Sequence, residues 1–210
     1  MTLDVTGPAG RLEARLDVNT ESPVAIAVIA GEHGGTLQSR VLHNVTLGLL
    51  RLDCAVIRFN YRGTGTSDGE PTNGDGELED YLAVLKAANA RFPTTPLWTV
   101  GYSFGSYLAL GVGARTRSVA LMLGIGLLVE DYDYDLISEA AKPTFIIHGE
   151  ADERCALNAV RRFYATLSEP RELIVIDGAD HAFDGHASEL ADAVEDLLAG
   201  FEPDSGLPQD

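Results

Sequence analysis

Short, mainly apolar runs recur at residues 24–30, 54–59, 97–100, 118–123, 144–147 and 173–176, each bounded by turn-forming residues. A segment of four to eight residues with apolar side chains on both sides has no face to give to water, so these runs predict strands buried between two layers. Between them, residues 38–51, 77–91, 104–115, 156–167 and 187–201 repeat apolar positions at helical spacing. Such alternation predicts an α/β fold, an open, mostly parallel sheet with helices on both faces. Leu12, Ala14, Leu16 and Val18 alternate with polar residues, which predicts an edge hairpin ahead of the parallel strands. Residues 1–201 are read as a single domain. Residues 202–210, with two prolines and no periodicity, are read as a mobile tail.

The chemistry-bearing residues fall where these predicted strands end. Gly101-Tyr102-Ser103-Phe104-Gly105 follows one apolar run directly and opens a helical stretch. A G-x-S-x-G set between strand and helix holds its serine on a sharp turn with the hydroxyl lifted clear of the sheet, and the flanking glycines let the backbone turn without clash. Ser103 is the candidate nucleophile. The run at 144–147 empties into His148-Gly149-Glu150-Ala151-Asp152, and the run at 173–176 into Asp177-Gly178-Ala179-Asp180-His181. The order serine, aspartate, histidine, each on a loop after a strand, suits Asp152 as acid and His181 as base. Glu150 is the substitute acid; Asp180, as the sequence neighbour of His181, is expected to point elsewhere.

The motifs Gly-Tyr-Ser-Phe-Gly-Ser at 101–106, His-Gly-Glu-Ala-Asp at 148–152, Gly-Ala-Asp-His at 178–181 and Arg-Phe-Asn-Tyr-Arg-Gly-Thr-Gly at 58–65 resemble the α/β-hydrolase superfamily. More narrowly, the chain resembles its small bacterial members without a lid domain, related to the dienelactone-hydrolase-like group. The likeness runs over about residues 24–200 and implies an α/β-hydrolase fold with no lid. Only residues 124–142 separate the run at 118–123 from the next, too few for a helical lid, so the site is expected to be shallow and open. The resemblance also implies an oxyanion hole of two backbone N–H groups. Phe104, following the nucleophile at a helix N-terminus, supplies one. The second comes from the loop Gly31-Glu32-His33-Gly34-Gly35, where Ala30 stands in place of the histidine usual in relatives; Glu32 is the assigned donor and His33 the alternative. His33, Tyr102, Tyr132 and Tyr134 are the candidate substrate-contacting residues, the last two as one wall of the site.

Together these features predict a serine hydrolase acting on a carboxylic ester or related acyl bond, with no cofactor and a small-molecule acyl substrate. The alternatives are a thioesterase or acyl-peptidase, or a catalytically silent hydrolase-like binding scaffold. Other readings fail on particulars. Fifteen basic against 32 acidic side chains give a formal charge of −17, which repels polyanions, and no Lys/Arg cluster is present to neutralise phosphates, so no nucleic-acid partner is expected. Arg62-Gly63-Thr64-Gly65-Thr66-Ser67-Asp68-Gly69 has Asp68 where a dinucleotide-binding loop needs its third glycine, and no helix opens there. His33, His43 and His186 show no ligand spacing, so no metal is expected; His148 is read as a hydrogen-bonded structural residue and Ser106 as locally bonded. No segment is apolar enough to cross a membrane, the N-terminus lacks the pattern of a secretory signal, and Cys54 and Cys155 read as free thiols, all of which fit a cytoplasmic protein.

Overall fold

A computed structural model describes residues 1–201; the tail expectation for 202–210 lies outside the described residues. In chain order the elements are β1 (Thr2–Gly7), β2 (Gly10–Asp17), β3 (Ile26–Ala30), α1 (Arg40–Arg51), β4 (Ala55–Phe59), α2 (Asp75–Arg91) and β5 (Leu97–Tyr102). They continue with α3 (Phe104–Arg115), β6 (Val119–Ile125), α4 (Asp135–Glu139), β7 (Thr144–Gly149), α5 (Leu157–Thr166), β8 (Arg171–Ile176) and α6 (Ala187–Leu198). The strands form one eight-stranded sheet in the order β1-β2-β4-β3-β5-β6-β7-β8. β1 and β2 form the edge hairpin, β2 joins β4 antiparallel, and every later pairing is parallel.

The apolar runs bury both faces because successive side chains point to opposite sides of a strand. Ile26, Val28 and Ala30 of β3, with Ala55, Ile57 and Phe59 of β4, enter the core beneath α2 and α3. Ala27 and Ile29, with Val56 of β4 and Trp98, Val100 and Tyr102 of β5, enter the core beneath α1 and α6. α1 and α6 approach closely at Gly48. A Cβ there would sit 2.5 Å from Ala191 O and 2.8 Å from Val194 Cβ, so only a residue without a side chain fits.

Several boundaries move by two or three residues relative to the sequence expectation: β5, β6 and β7 each run two residues past their predicted ends, β3 begins two later and β8 two earlier, α6 stops three short, and the predicted connection at 124–142 contains the short α4. A five-residue helix is too short for apolar periodicity to reveal it. No helix among the described residues is long and apolar enough to cross a membrane.

Parallel pairing sends the carboxyl ends of β3 to β8 to one edge of the sheet, the place where open α/β folds hold their ligands. The loops 31–39, 60–74, 126–134, 150–156 and 177–186 therefore gather around the β5–α3 junction that carries Ser103.

Candidate active site

Ser103 joins β5 to α3 at φ 58° and ψ −124°, a backbone state that costs a non-glycine residue about 1–3 kcal/mol unless its surroundings impose it. Here they do so from both sides. Ser103 N–H donates to Ile125 O of β6 at 2.9 Å. Ser103 C=O accepts from Ser106 N–H at 2.9 Å and from Ser106 Oγ at 2.7 Å. The two glycines of the motif are required by close approach. A Cβ on Gly101 would strike the Gly105 backbone, and one on Gly105 would strike the carbonyls of Ala30 and Gly31. That second contact presses the end of β3, and the loop after it, against the first turn of α3.

The structure brings Ser103, Asp152 and His181 together from residues up to 78 positions apart. His181 Nε2 lies 2.9 Å from Ser103 Oγ, and His181 Nδ1 lies 2.8 Å from Asp152 Oδ2. A carboxylate can only accept, so Nδ1 carries the proton and Nε2 presents its lone pair to the serine hydroxyl. Asp152 Oδ1 accepts the backbone N–H groups of Arg154 at 2.8 Å and Cys155 at 3.0 Å. Burial works against the charge on Asp152, but the hydrogen bond and charge of His181 and the Cys155 N–H outweigh it and hold the carboxyl below its usual range. All three residues are buried, between 5% and 7% exposed.

His181 is set by Glu153 and Gly126, which the sequence motifs did not identify, and by Tyr102 in a role they did not suggest. Its backbone N–H donates to Glu153 Oε2 at 3.2 Å, and its carbonyl accepts the Tyr102 hydroxyl at 3.1 Å. Gly126, at φ 55°, turns beneath it so tightly that a Cβ would lie 3.3 Å from His181 Cε1. Glu153 adjoins Asp152 in sequence, but its partner is 28 residues away, a pairing that no local pattern encodes. Glu150 Oε2 accepts Gly178 N–H, and Asp180 Oδ1 accepts Asp184 N–H, so both serve loop structure.

The loop expected to carry the second oxyanion donor is tied to the 58–65 segment. Leu37 N–H donates to Asn60 Oδ1 at 2.6 Å and Leu37 O accepts from Arg58 Nη1 at 3.0 Å, so both backbone groups of one residue are held. Arg58 is itself fixed by Asp17 at 2.6 Å, and the Tyr61 hydroxyl reaches Gly31 O at 3.4 Å. Glu32 opens a turn closed by Gly35 N–H donating to Glu32 O at 3.1 Å, with Gly34 at φ 74°. The Glu32 carboxylate folds over Gly35, and its Oε2 is buried without a donor. Phe104 is the first residue of α3, where helical N–H groups lack intrahelical partners.

Of the residues expected to touch substrate, two stand elsewhere. Tyr102 is 5% exposed, lies on the same strand face as Trp98 and Val100, and spends its hydroxyl on His181 O. Burial, and then the Glu32 carboxylate, push its phenol pKa up, so it remains a donor. Tyr134 is equally buried, packed on Phe163, with its hydroxyl 3.2 Å from Ser106 Oγ. Both therefore support the site from beneath. Tyr132 remains at its edge, stacked on Tyr107 at 4.7 Å and tilted against Phe104 at 5.7 Å. His33 is exposed, edge-on to Phe104, with Nε2 2.6 Å from Asn73 Oδ1. An open groove of about 560 Å³ lined by Tyr132, Tyr134, Arg162 and Phe163 runs beside the 126–134 connection; Ser103, Asp152 and His181 do not line it.

The same fold recurs in solved structures. A serine hydrolase without a lid from Xanthomonas campestris, XC6422, superposes with a TM-score of 0.88 at 27% identity, covering 97% of this chain and 95% of that one. An alpha-beta serine hydrolase homologue from Coxiella burnetii gives 0.85 at 29% identity, covering 94% and 97%. Among curated sequences, the uncharacterized protein RP471 of Rickettsia prowazekii is 29% identical over 91% of this chain and 86% of its own length. Human alpha/beta hydrolase domain-containing protein 17B is 26% identical over 76% of this chain, which spans 62% of that relative's length. The family described as "Serine aminopeptidase, S33" matches residues 23–130, about half of the chain. With that match, the eight-stranded sheet and the lid-less neighbours, the chain belongs to this serine-hydrolase family of the α/β-hydrolase superfamily.

Proposed function

We propose that this protein is a serine hydrolase that cleaves a carboxylic ester or related acyl bond of a small molecule through an acyl-enzyme on Ser103. The observation that carries the reading is the unbroken line of contacts from Asp152 Oδ2 through His181 to Ser103 Oγ, at 2.8 and 2.9 Å. In the first half-reaction Ser103 Oγ attacks the acyl carbon while His181 Nε2 takes the hydroxyl proton. The carbonyl oxygen becomes an oxyanion, stabilised by the backbone N–H of Phe104 and of Glu32; losing one such donor costs about 10²- to 10³-fold in rate. Collapse of the tetrahedral intermediate expels the alcohol, which receives the proton from His181. Water then attacks the ester on Ser103, with His181 again as base, and releases the acid and the free serine. Asp152 holds the imidazole in the working tautomer and stabilises its cation throughout.

The absence of a lid-sized insertion in residues 126–134 favours short or protruding acyl groups over long lipid chains. The family's description as a serine aminopeptidase supports a second reading, cleavage of an amide or peptide bond by the same machinery. Labelling with a fluorophosphonate, which needs an activated serine but no knowledge of substrate, tests the shared core of both. Stoichiometric labelling is expected for the wild-type protein and none for Ser103→Ala. A folded wild-type protein that takes no label would refute the proposal. Turnover of matched ester, thioester and amide substrates then separates the readings.

A further inference from the structure

His148, the penultimate residue of β7, is fully buried, yet the chemistry above gives it no part. Its Nε2 lies 2.9 Å from Cys155 O and 3.6 Å from Asp152 Oδ2, while Nδ1 has no partner. A carbonyl oxygen only accepts, so Nε2 carries the proton and Nδ1 a bare lone pair. A second proton on Nδ1 would create a cation in the interior facing no acceptor, and burial pushes the titration of this imidazole down. The ring is therefore neutral. Its approach to Asp152 is that of an N–H dipole, not of an ion pair.

The oxygens of Asp152 can be accounted for one by one. Oδ1 accepts from Arg154 and Cys155, and Oδ2 accepts from His181; the His148 ring packs against Oδ2 at 3.6 Å without a hydrogen bond to it. Cys155 is consequently gripped twice, its N–H by Asp152 and its C=O by His148. His148 is immobile in turn, because β7 pairs with β8 at His148 and Val175. Backbone bonds from Glu150 to Ile176 O and from Ala151 to Ala179 O anchor the start of the acid loop, and the His148 imidazole ties its Cys155 end to the sheet.

We propose that His148 is a positioning residue for Asp152: its Nε2–H, donated to Cys155 O, holds the 152–155 turn in place and with it the direction in which Asp152 Oδ2 faces His181. The proposal rests on the assignment of Ser103, His181 and Asp152 as the reacting set. Replacing the imidazole by an apolar side chain leaves Cys155 O without its donor in a dry site, and residues 152–155 relax to recover one. Displacement of Oδ2 by about 1 Å loosens its bond to His181, and misplacement on that scale costs about 10²-fold in rate.

The test compares His148→Leu, His148→Gln and His148→Asn with the wild-type protein. Two quantities are read: the rate constant for fluorophosphonate labelling of Ser103, and the downfield proton resonance of His181 Nδ1–H. Gln can reach Cys155 O with an amide donor, whereas Asn is too short. His148→Leu and His148→Asn are expected to label about 100-fold more slowly with the His181 resonance broadened or lost, and His148→Gln to recover most of both. A change that only lowered the melting temperature would leave the folded fraction reacting at the wild-type rate with its resonance intact, and would overturn the proposal. Equal loss in folded His148→Gln and His148→Asn would also overturn it, because donor reach would not matter. Should His148→Leu fail to fold, the Gln and Asn pair decides alone. Failure of the underlying assignment shows separately, as a wild-type protein that takes no label.

Discussion

Replacing Asp152 by asparagine separates two duties that one carboxylate performs. Its Oδ1 accepts from Arg154 and Cys155 N–H, and an asparagine carbonyl can accept both, so the 152–155 turn should survive. The other position changes sign. Where Oδ2 accepted from His181 Nδ1–H at 2.8 Å, an NH₂ group now donates, and His181 answers by moving its proton to Nε2. The imidazole then points N–H at Ser103 Oγ across the 2.9 Å gap and can no longer take the hydroxyl proton. The equivalent change in trypsin, a known reference case, lowers turnover about 10⁴-fold, equivalent to about 5.5 kcal/mol of transition-state stabilisation. We expect a similar loss in the fluorophosphonate labelling rate of Asp152→Asn, with a melting temperature within about 3 °C of wild type. Asp152→Ala should lose activity to a similar degree and also about 3 kcal/mol of stability, because two charge-assisted bonds to backbone N–H disappear. Stopped-flow labelling and thermal melts read the two effects apart. Labelling of Asp152→Asn within tenfold of wild type would refute the assignment of Asp152 as acid and turn attention to Glu150.

Two further predictions concern stability. Gly48→Ala should destabilise the protein by about 1–3 kcal/mol despite the better helix propensity of alanine, since the new Cβ meets Ala191 O and Val194 where α1 crosses α6. A melting temperature equal to or above wild type would contradict that packing. Glu77 accepts from Thr72 and Gly74 N–H; burial opposes its charge, but these bonds win and lower its carboxyl pKa from 4.5 to about 2. A folded-state pKa below the unfolded one gives stability that is complete above about pH 5 and lost as pH falls toward 2. Denaturant titrations over that window should show a shallower acid decline for Glu77→Gln, and parallel curves would refute the linkage.

Most of the parallel sheet was legible because β3 to β7 are largely apolar on both faces, a pattern that leaves few alternatives, and the half-buried edge β8 keeps enough apolar residues to read the same way. The residues that meet at the site were legible for a related reason: Ser103, Asp152 and His181 each stand on the loop after such a strand. What escaped was side-chain direction and long-range pairing. Period-two counting along β5 puts Tyr102 with Trp98 and Val100, and so under α6, but its place inside the G-x-S-x-G motif drew it into the substrate-facing set. Tyr134 meets Ser106 across 28 residues, and Glu153 meets His181 across another 28. Neither pairing leaves a local trace. The 58–65 segment was recognised only as part of the family resemblance, and its grip on Leu37 depends on a register between β2, β4 and the 31–39 loop that only the folded chain displays.

The backbone at Ser103 has a consequence for how such a protein can change over time. A glycine at this position would occupy φ 58° without penalty, so the chain would gain stability by giving up the Ser103 hydroxyl. On the proposed mechanism, loss of the reaction is therefore thermodynamically downhill, and selection for turnover is what would hold the serine where it stands. A descendant released from that selection could drift into a more robust, inert copy of the same fold by a single substitution, with the surrounding hydrogen bonds from Ile125 and Ser106 unaltered.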